Sequence, residues 1–269
     1  MDFRIYIEDP YMDGEVHFLV NYPRDEYIYR VLCFPACNRR DLIVERTLEL
    51  IKEGFIYLLE TGQVIHGVRV LGKGYSSIIV VAYHARHGLG VLKIRRTDSR
   101  RDDLSREAEA MMRASGSGVT PRLYMYSRDY LFRELVNPVT CRSLEALLTD
   151  LFRTGDMDRV KQVIYEVLVA LNRLDSIRID HTELNRPGNH VFICPDGMKI
   201  IDWESARRSV KPSNLSSFIS YLLYRFRYRS ELISRLGLER EKILRLLRRY
   251  KAEYSLEALG EIIDSMHLV

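Results

Sequence analysis

The chain has 269 residues, 41 basic and 37 acidic side chains and 46% hydrophobic composition, enough to build a sizeable core and unlike a disordered or low-complexity protein. No stretch approaches the roughly 18 consecutive apolar residues of a membrane span, and the acidic start, MDFRIYIEDPYMDGEV, lacks the basic-then-apolar order of a secretory signal. A cytoplasmic globular protein is expected, in which Cys33, Cys37, Cys141 and Cys194 form no disulfide framework.

Residues 1–40 predict short strands over 3–8, 16–20 and 27–32, broken by Asp-Pro, Asp-Gly and Tyr-Pro turns. A helix follows over 41–53, with Asp41 as its N-cap, Val44, Leu48, Ile51 and Phe55 along one face, and Gly54 where a C-cap glycine belongs. Two strands flank Thr61-Gly62. Residues 1–66 thus read as an accessory α/β segment that names no chemistry. Cys33-x3-Cys37 lacks a second ligand pair, so incidental thiols are expected there rather than zinc.

Residues 67–136 predict a strand over 68–71, the loop GKGYSS, strands over 78–83 and 89–94, a helix over 104–114 and a hairpin over 124–127 and 131–135. After Asn137-Pro138 the chain, 137–269, becomes mainly helical. The clearest helix runs over 156–175, where Met157, Val160, Val163, Ile164, Val167, Leu168, Leu171 and Leu174 follow the three-and-four spacing of a buried stripe. The polar loop IDHTELNRPGNH, a hairpin of VFIC and KIID, and helices near 214–227, 238–251 and 255–266 complete the chain.

Chemistry concentrates at three places. Gly72-Lys73-Gly74 opens a G-x-G-x-x-S loop that extends to Ser76 and Ser77; glycine there lets backbone N–H groups approach phosphate oxygens. Lys93 stands among apolar residues in VLKI, and a carboxylate from the next helix, Glu107 or its rival Glu109, can aim its ammonium at anionic phosphates. Asn189 and Asp202, the latter ending an apolar strand, offer the oxygen ligands that hard Mg²⁺ prefers. His181, in the same polar loop, is expected to support it by hydrogen bonds.

In this order the motifs from about residue 66 to 210 resemble the protein-kinase-like fold, and most closely the archaeal predicted serine/threonine protein kinases related to the RIO kinases. GKGYSS resembles the nucleotide-covering loop, VLKIRRTDS the strand carrying the phosphate lysine, and REAEAMM the helix carrying its glutamate. FRELV resembles the hinge, implying adenine contacts by backbone groups from Glu134 to Val136. HTELNRPGNH resembles the catalytic loop, with Glu183 at the place of the catalytic aspartate, and IIDWE the metal-binding motif usually written DFG. The resemblance implies an α+β, two-lobed fold with an antiparallel-sheet N-lobe and a mainly helical C-lobe. It also implies Mg²⁺ and ATP as cofactors, and a protein or small-molecule hydroxyl as acceptor.

The sequence departs from the family pattern at three points. Glu183 reaches one methylene further than aspartate, one extra residue separates it from Asn189, and Asp180 to Asn185 offers a competing register. DFG becomes Asp202-Trp203-Glu204, and a predicted helix begins too soon afterwards for an ordinary activation loop. A small-molecule kinase, an ATPase and a weakly active nucleotide-binding scaffold therefore stand beside the protein-kinase reading. Residues 225–251 carry ten Arg or Lys against Glu231, Glu239 and Glu241: a solvated face, or a landing surface for RNA or an acidic protein.

Overall fold

The computed structural model describes residues 5–7, 13–36 and 39–269, of which 5–7 and Asn189 are described by their backbone alone. The chain divides into two units, one formed by Met1–Ala108 with Arg122–Leu135 and the other by Glu109–Pro121 with Val136–Val269. The secondary structure is mixed α+β, and every paired strand is antiparallel.

The first unit runs β1 (Ile5–Ile7), β2 (Gly14–Phe18), α1 (Glu26–Leu32), α2 (Arg40–Glu53), β3 (Phe55–Glu60), β4 (Gln63–Ile65), β5 (Val68–Val70), β6 (Gly72–Lys73), β7 (Ser77–His84) and β8 (Gly88–Arg95). Helix α3 (Ser105–Ala114) carries the chain into the second unit, and the first resumes with β9 (Leu123–Tyr126) and β10 (Tyr130–Glu134). One sheet holds the order β1-β2-β3-β7-β8-β10-β9, with β6 added beside β7, while β4 and β5 pair as a separate ribbon. Strands β1, β2 and β3 thus share a sheet with β7, β8, β9 and β10.

Alternation along β7 explains how this sheet is covered. Ile78, Val80 and Ala82 join Ile28, Leu32, Ile43, Leu50 and Phe55 in one core, whereas Val81 turns to the opposite face with Val16 and Leu59. Gly90 on β8 is required by close approach, because a Cβ there would stand 2.5 Å from the Phe132 ring.

Two expectations for this unit are corrected. Residues 27–32 are not a strand but helix α1, since Asp25 accepts from the Ile28 N–H at 3.1 Å and caps it. Its buried residues Tyr27, Ile28, Val31 and Leu32 have helical spacing, which outweighs their β-branched and aromatic character. Helix α2 forms and ends at Gly54 in the left-handed conformation, but a different face is buried. Ile43, Thr47 and Leu50 point inward together with Arg46, and Val44 and Leu48 are exposed. The inward polar groups are satisfied: Arg46 donates to the Leu32 carbonyl at 2.6 Å and pairs with Asp129 at 3.2 Å, and Thr47 donates to the Ile43 carbonyl.

The second unit runs β11 (Arg142–Ser143), α4 (Leu144–Thr154), α5 (Met157–Ser176), β12 (Ile179–Asp180), β13 (Val191–Cys194), β14 (Gly197–Ile200), β15 (Arg207–Arg208), α6 (Asn214–Tyr224), α7 (Arg229–Leu236), α8 (Arg240–Glu253) and α9 (Leu256–Ser265). Helix α5 is capped by Asp156, packs against α4, α6 and α9, and buries its predicted stripe except for the half-buried Met157. Helix α4 was not anticipated, and the stretch predicted as a helix over 214–227 ends at Tyr224, with α7 following as a separate short helix.

Cysteine chemistry is corrected as well. Cys141 and Cys194 form a disulfide beside the β11–β13 ladder, across a sequence separation of 53, and Cys33 is also disulfide-bonded. Isolated short ladders give no sequence signal, so nothing in the sequence showed that β11 brings Cys141 opposite Cys194. Cys37 and the Asp9-Pro10 turn lie outside the described residues. Among the described residues no helix is long and apolar enough to cross a membrane.

Candidate active site

Within the first unit, the sheet delivers Lys93 to a dry position. It sits on β8 between β7 and β10, opposite Ile79 and Leu131, so it belongs to an interior strand rather than an edge. Its ammonium donates to Glu107 Oε1 at 2.6 Å, and both side chains are only 2% exposed. Glu107 lies in the first turn of α3 and its second oxygen, Oε2, is buried without a hydrogen-bond partner. The rival Glu109 is half-exposed and pairs with Arg113 at 2.9 Å. The structure therefore selects Glu107 as the partner of Lys93.

The glycine loop is a tight turn closed on itself. Gly72 and Lys73, as β6, pair beside β7, the Gly74 N–H donates to the Ser77 carbonyl at 2.8 Å, and Arg96 reaches the Gly74 carbonyl at 3.3 Å. Ser76 and Ser77 are fully buried, and neither hydroxyl has a partner among the described residues. Lys73 and Tyr75, not the serine hydroxyls, stand at the loop surface. At the predicted hinge, Glu134 uses its own backbone locally: its N–H donates to the Arg122 carbonyl and its carbonyl accepts from Arg133, both at 2.8 Å. Glu134 Oε2 also accepts from the Arg122 N–H, and Val136 falls in the second unit.

Within the second unit, Glu183, His190 and Asp202 converge, their donor atoms all lying within 4.8 Å of one another. Glu183 Oε2 is 3.2 Å from His190 Nε2. Ile201 explains how Asp202 is aimed. Its N–H donates to the His190 carbonyl at 2.9 Å, and its carbonyl accepts from His181 Nε2 at 3.1 Å. A carbonyl can only accept, so His181 carries its proton on Nε2. Trp203 locks the same turn, donating from Nε1 to the Ile200 carbonyl at 2.7 Å and meeting the His181 ring edge-on at 4.9 Å. Thr182 and Asp202 both adopt left-handed backbone, at φ 73° and 65°, a conformation that costs about 1–2 kcal/mol in a non-glycine residue. Such strain persists only where neighbours over-determine the geometry, as they do here.

Burial holds the His181 pKa down to about 4, with nearby His190 as a lesser cause, so the ring is neutral at pH 7 and supports the loop. The two registers for the acidic residue are also separated. Asp180 is buried and accepts from the Ser213 hydroxyl at 3.3 Å, whereas Glu183 remains about one-third exposed beside Asp202. The Asn189 side chain, the second expected metal ligand, lies outside the described residues. His190 was not anticipated, although it directly follows Asn189.

A further layer escaped sequence reasoning. Asn214, opening α6, accepts from the His181 N–H at 2.8 Å and donates from Nδ2 to Asp175 at 2.8 Å and to the Ile179 carbonyl at 2.6 Å. Asp175 also accepts from Tyr250 at 2.9 Å and from the Leu215 N–H at 3.2 Å. Burial pushes its pKa up to about 6 against these donors. One signal was available: Asp175 continues the 164, 168, 171 stripe of α5, where a carboxylate must find buried partners.

Carboxylate oxygens of Asp202 and Glu183 are the donor type Mg²⁺ takes, whereas His190 Nε2, 3.2 Å from Glu183, is not, so the fit to that ion rests on the two carboxylates. In the basic 225–251 region, Arg245 and Arg248 are exposed, but Arg249 is held by Glu253, Glu257 and Glu261. No known protein family and no curated protein matches this chain.

Proposed function

We propose that the protein is an ATP-dependent phosphotransferase of the RIO-like serine/threonine kinase type, and that its sheet-bearing and helical units are the two lobes of a protein-kinase-like fold. The observation that carries this reading is the buried Lys93–Glu107 pair at 2.6 Å on an interior strand. Stability alone does not account for it, because apolar residues of similar volume often serve a core as well or better. An ammonium fixed by one carboxylate oxygen is instead suited to neutralising phosphate oxygens, the main requirement of phosphoryl transfer.

In this reading Lys93, oriented by Glu107, meets the α- and β-phosphates of ATP. Asp202 holds Mg²⁺, with Asn189 as its expected companion, and the ion supplies charge neutralisation at the phosphates. Glu183 orients the acceptor hydroxyl, and its proximity to His190 gives its proton a place to go. His181, Trp203 and Asn214 keep the loop in register without touching substrate. A protein or small-molecule acceptor is compatible with these roles, and water as acceptor makes the protein an ATPase.

The test is transfer and release of labelled phosphate from Mg-ATP by the purified chain. Lys93→Met and Asp202→Ala are each expected to lower turnover by at least about 10²–10³-fold, as the loss of a charge-stabilising group does. Wild-type rates in either variant overturn the assignment. Glu183→Gln should abolish transfer while ATP binding, read by thermal shift, is kept. Binding with no turnover in the wild type leaves only a nucleotide-binding scaffold.

A further inference from the structure

The β2–β3 ladder carries a second cluster that phosphoryl transfer does not use. Glu15 and His17 are two residues apart on β2, hence on one face, and Glu60 on β3 is the direct cross-strand partner of Glu15. Their donor atoms all lie within 4.8 Å of one another. His17 is 8% exposed and stacks on Tyr27 at 4.3 Å. Its Nε2 stands 3.1 Å from Glu60 Oε2, and its Nδ1 stands 2.9 and 3.0 Å from the two oxygens of Asp25.

Both ring nitrogens thus face carboxylates, yet a neutral imidazole has a single N–H. With Nδ1–H given to Asp25, the Nε2 lone pair meets a carboxylate oxygen, and a cation must lie between them: a second proton or a metal ion. Asp25 and Glu60 by themselves outnumber the single positive charge of a protonated His17 ring. Arg69 on the neighbouring β5 directs its guanidinium to Asp13 at 3.9 Å and to the Gly62 carbonyl at 3.1 Å.

We propose that Glu15, His17 and Glu60 bind a divalent transition-metal ion of the zinc type, with Asp25 holding His17 in the tautomer that ligates through Nε2. Bonds of about 2.0–2.1 Å in a tetrahedral site place neighbouring donors about 3.3 Å apart, and His17 Nε2 and Glu60 Oε2 stand 3.1 Å apart. Imidazole with carboxylates suits zinc or manganese, whereas Mg²⁺ favours oxygen alone. A carboxylate behind a ligating histidine fixes its tautomer and raises its basicity, which is the place Asp25 occupies. Asp25 also caps α1, so the ion would join β2, β3 and α1 at one point.

The experiment uses the full chain, freed of metal with chelator and titrated with ZnCl₂ by calorimetry in the absence of nucleotide, with CoCl₂ absorption as a second readout. One equivalent should bind. Glu60→Gln and His17→Ala should each weaken binding at least about tenfold, and Asp25→Asn, which keeps a capping side chain, about 10–100-fold. Asp202→Ala, which takes a donor from the other cluster, should leave in place the binding step that Glu60→Gln weakens. Absence of uptake, uptake undiminished in Glu60→Gln, or uptake lost in Asp202→Ala overturns the proposal; the last assigns the ion to the other cluster. Glu60→Gln preserves side-chain shape, so it decides the matter even where His17→Ala fails to fold.

Discussion

The Lys93–Glu107 pair and the Glu183–His190–Asp202 cluster hold charge in opposite ways. In the first unit, a cation and an anion are both 2% exposed and meet at 2.6 Å. Away from water each needs the other, so contact itself fixes their geometry. In the second unit, Glu183 and His190 remain partly exposed, and water screens them. Position there comes from the backbone: Ile201 is bonded on both sides, Trp203 is buried, and Asp202 is held in a left-handed conformation. A dry pair is preorganised by electrostatics, and a wet cluster by the chain that carries it.

The comparison is broken most severely at Lys93. Lys93→Met leaves Glu107 buried and unpaired, and the variant is expected to lose about 3–5 kcal/mol of stability in urea unfolding. Lys93→Met with Glu107→Leu should recover most of that loss yet regain no ATP turnover. Recovery of both would show that the pair acts through folding alone.

The disulfide tests how far the second unit depends on its backbone. Cys141→Ser with Cys194→Ser removes a closure spanning 53 positions and should cost up to about 4 kcal/mol, read by the same unfolding assay without reductant so that the Cys33 disulfide stays closed. Unchanged stability would show that the β11–β13 ladder holds its register unaided.

Acid gives the smallest effect. The His181 pKa falls from 6.5 in the unfolded chain to about 4, so its contribution is complete above 6.5 and is lost as pH falls toward 4. Asp175, raised from 3.8 to about 6, acts in the other direction: its contribution is complete below 3.8 and is lost as pH rises through 6. The two oppose each other across this window. His181→Gln removes the first, so its stability relative to wild type should improve by about 2 kcal/mol between pH 7 and pH 4.5. Parallel pH profiles for the two proteins would contradict the buried neutral imidazole.

Much of the local architecture was legible. The apolar stripe of α5, the Gly54 cap of α2 and the strand that carries Lys93 all appear in the folded chain. Elements with two consistent readings were assigned the wrong one. Residues 27–32 fit a strand by composition and a helix by spacing, and the cap at Asp25 resolves them. Helix α2 has two possible apolar faces, and the one carrying Arg46 turns inward because Leu32 and Asp129 receive its guanidinium.

The sequence alone determined which residue types were present for the proposed chemistry, and their order, because caps, turns and periodicity act over a few positions of chain. Tertiary structure chose among equivalent candidates: Glu107 over Glu109, and Glu183 rather than Asp180 as the accessible carboxylate. It also brought Asp175 to Asn214 and Cys141 to Cys194. Those choices rest on burial and on hydrogen-bond partners tens of residues away, and a local pattern carries neither.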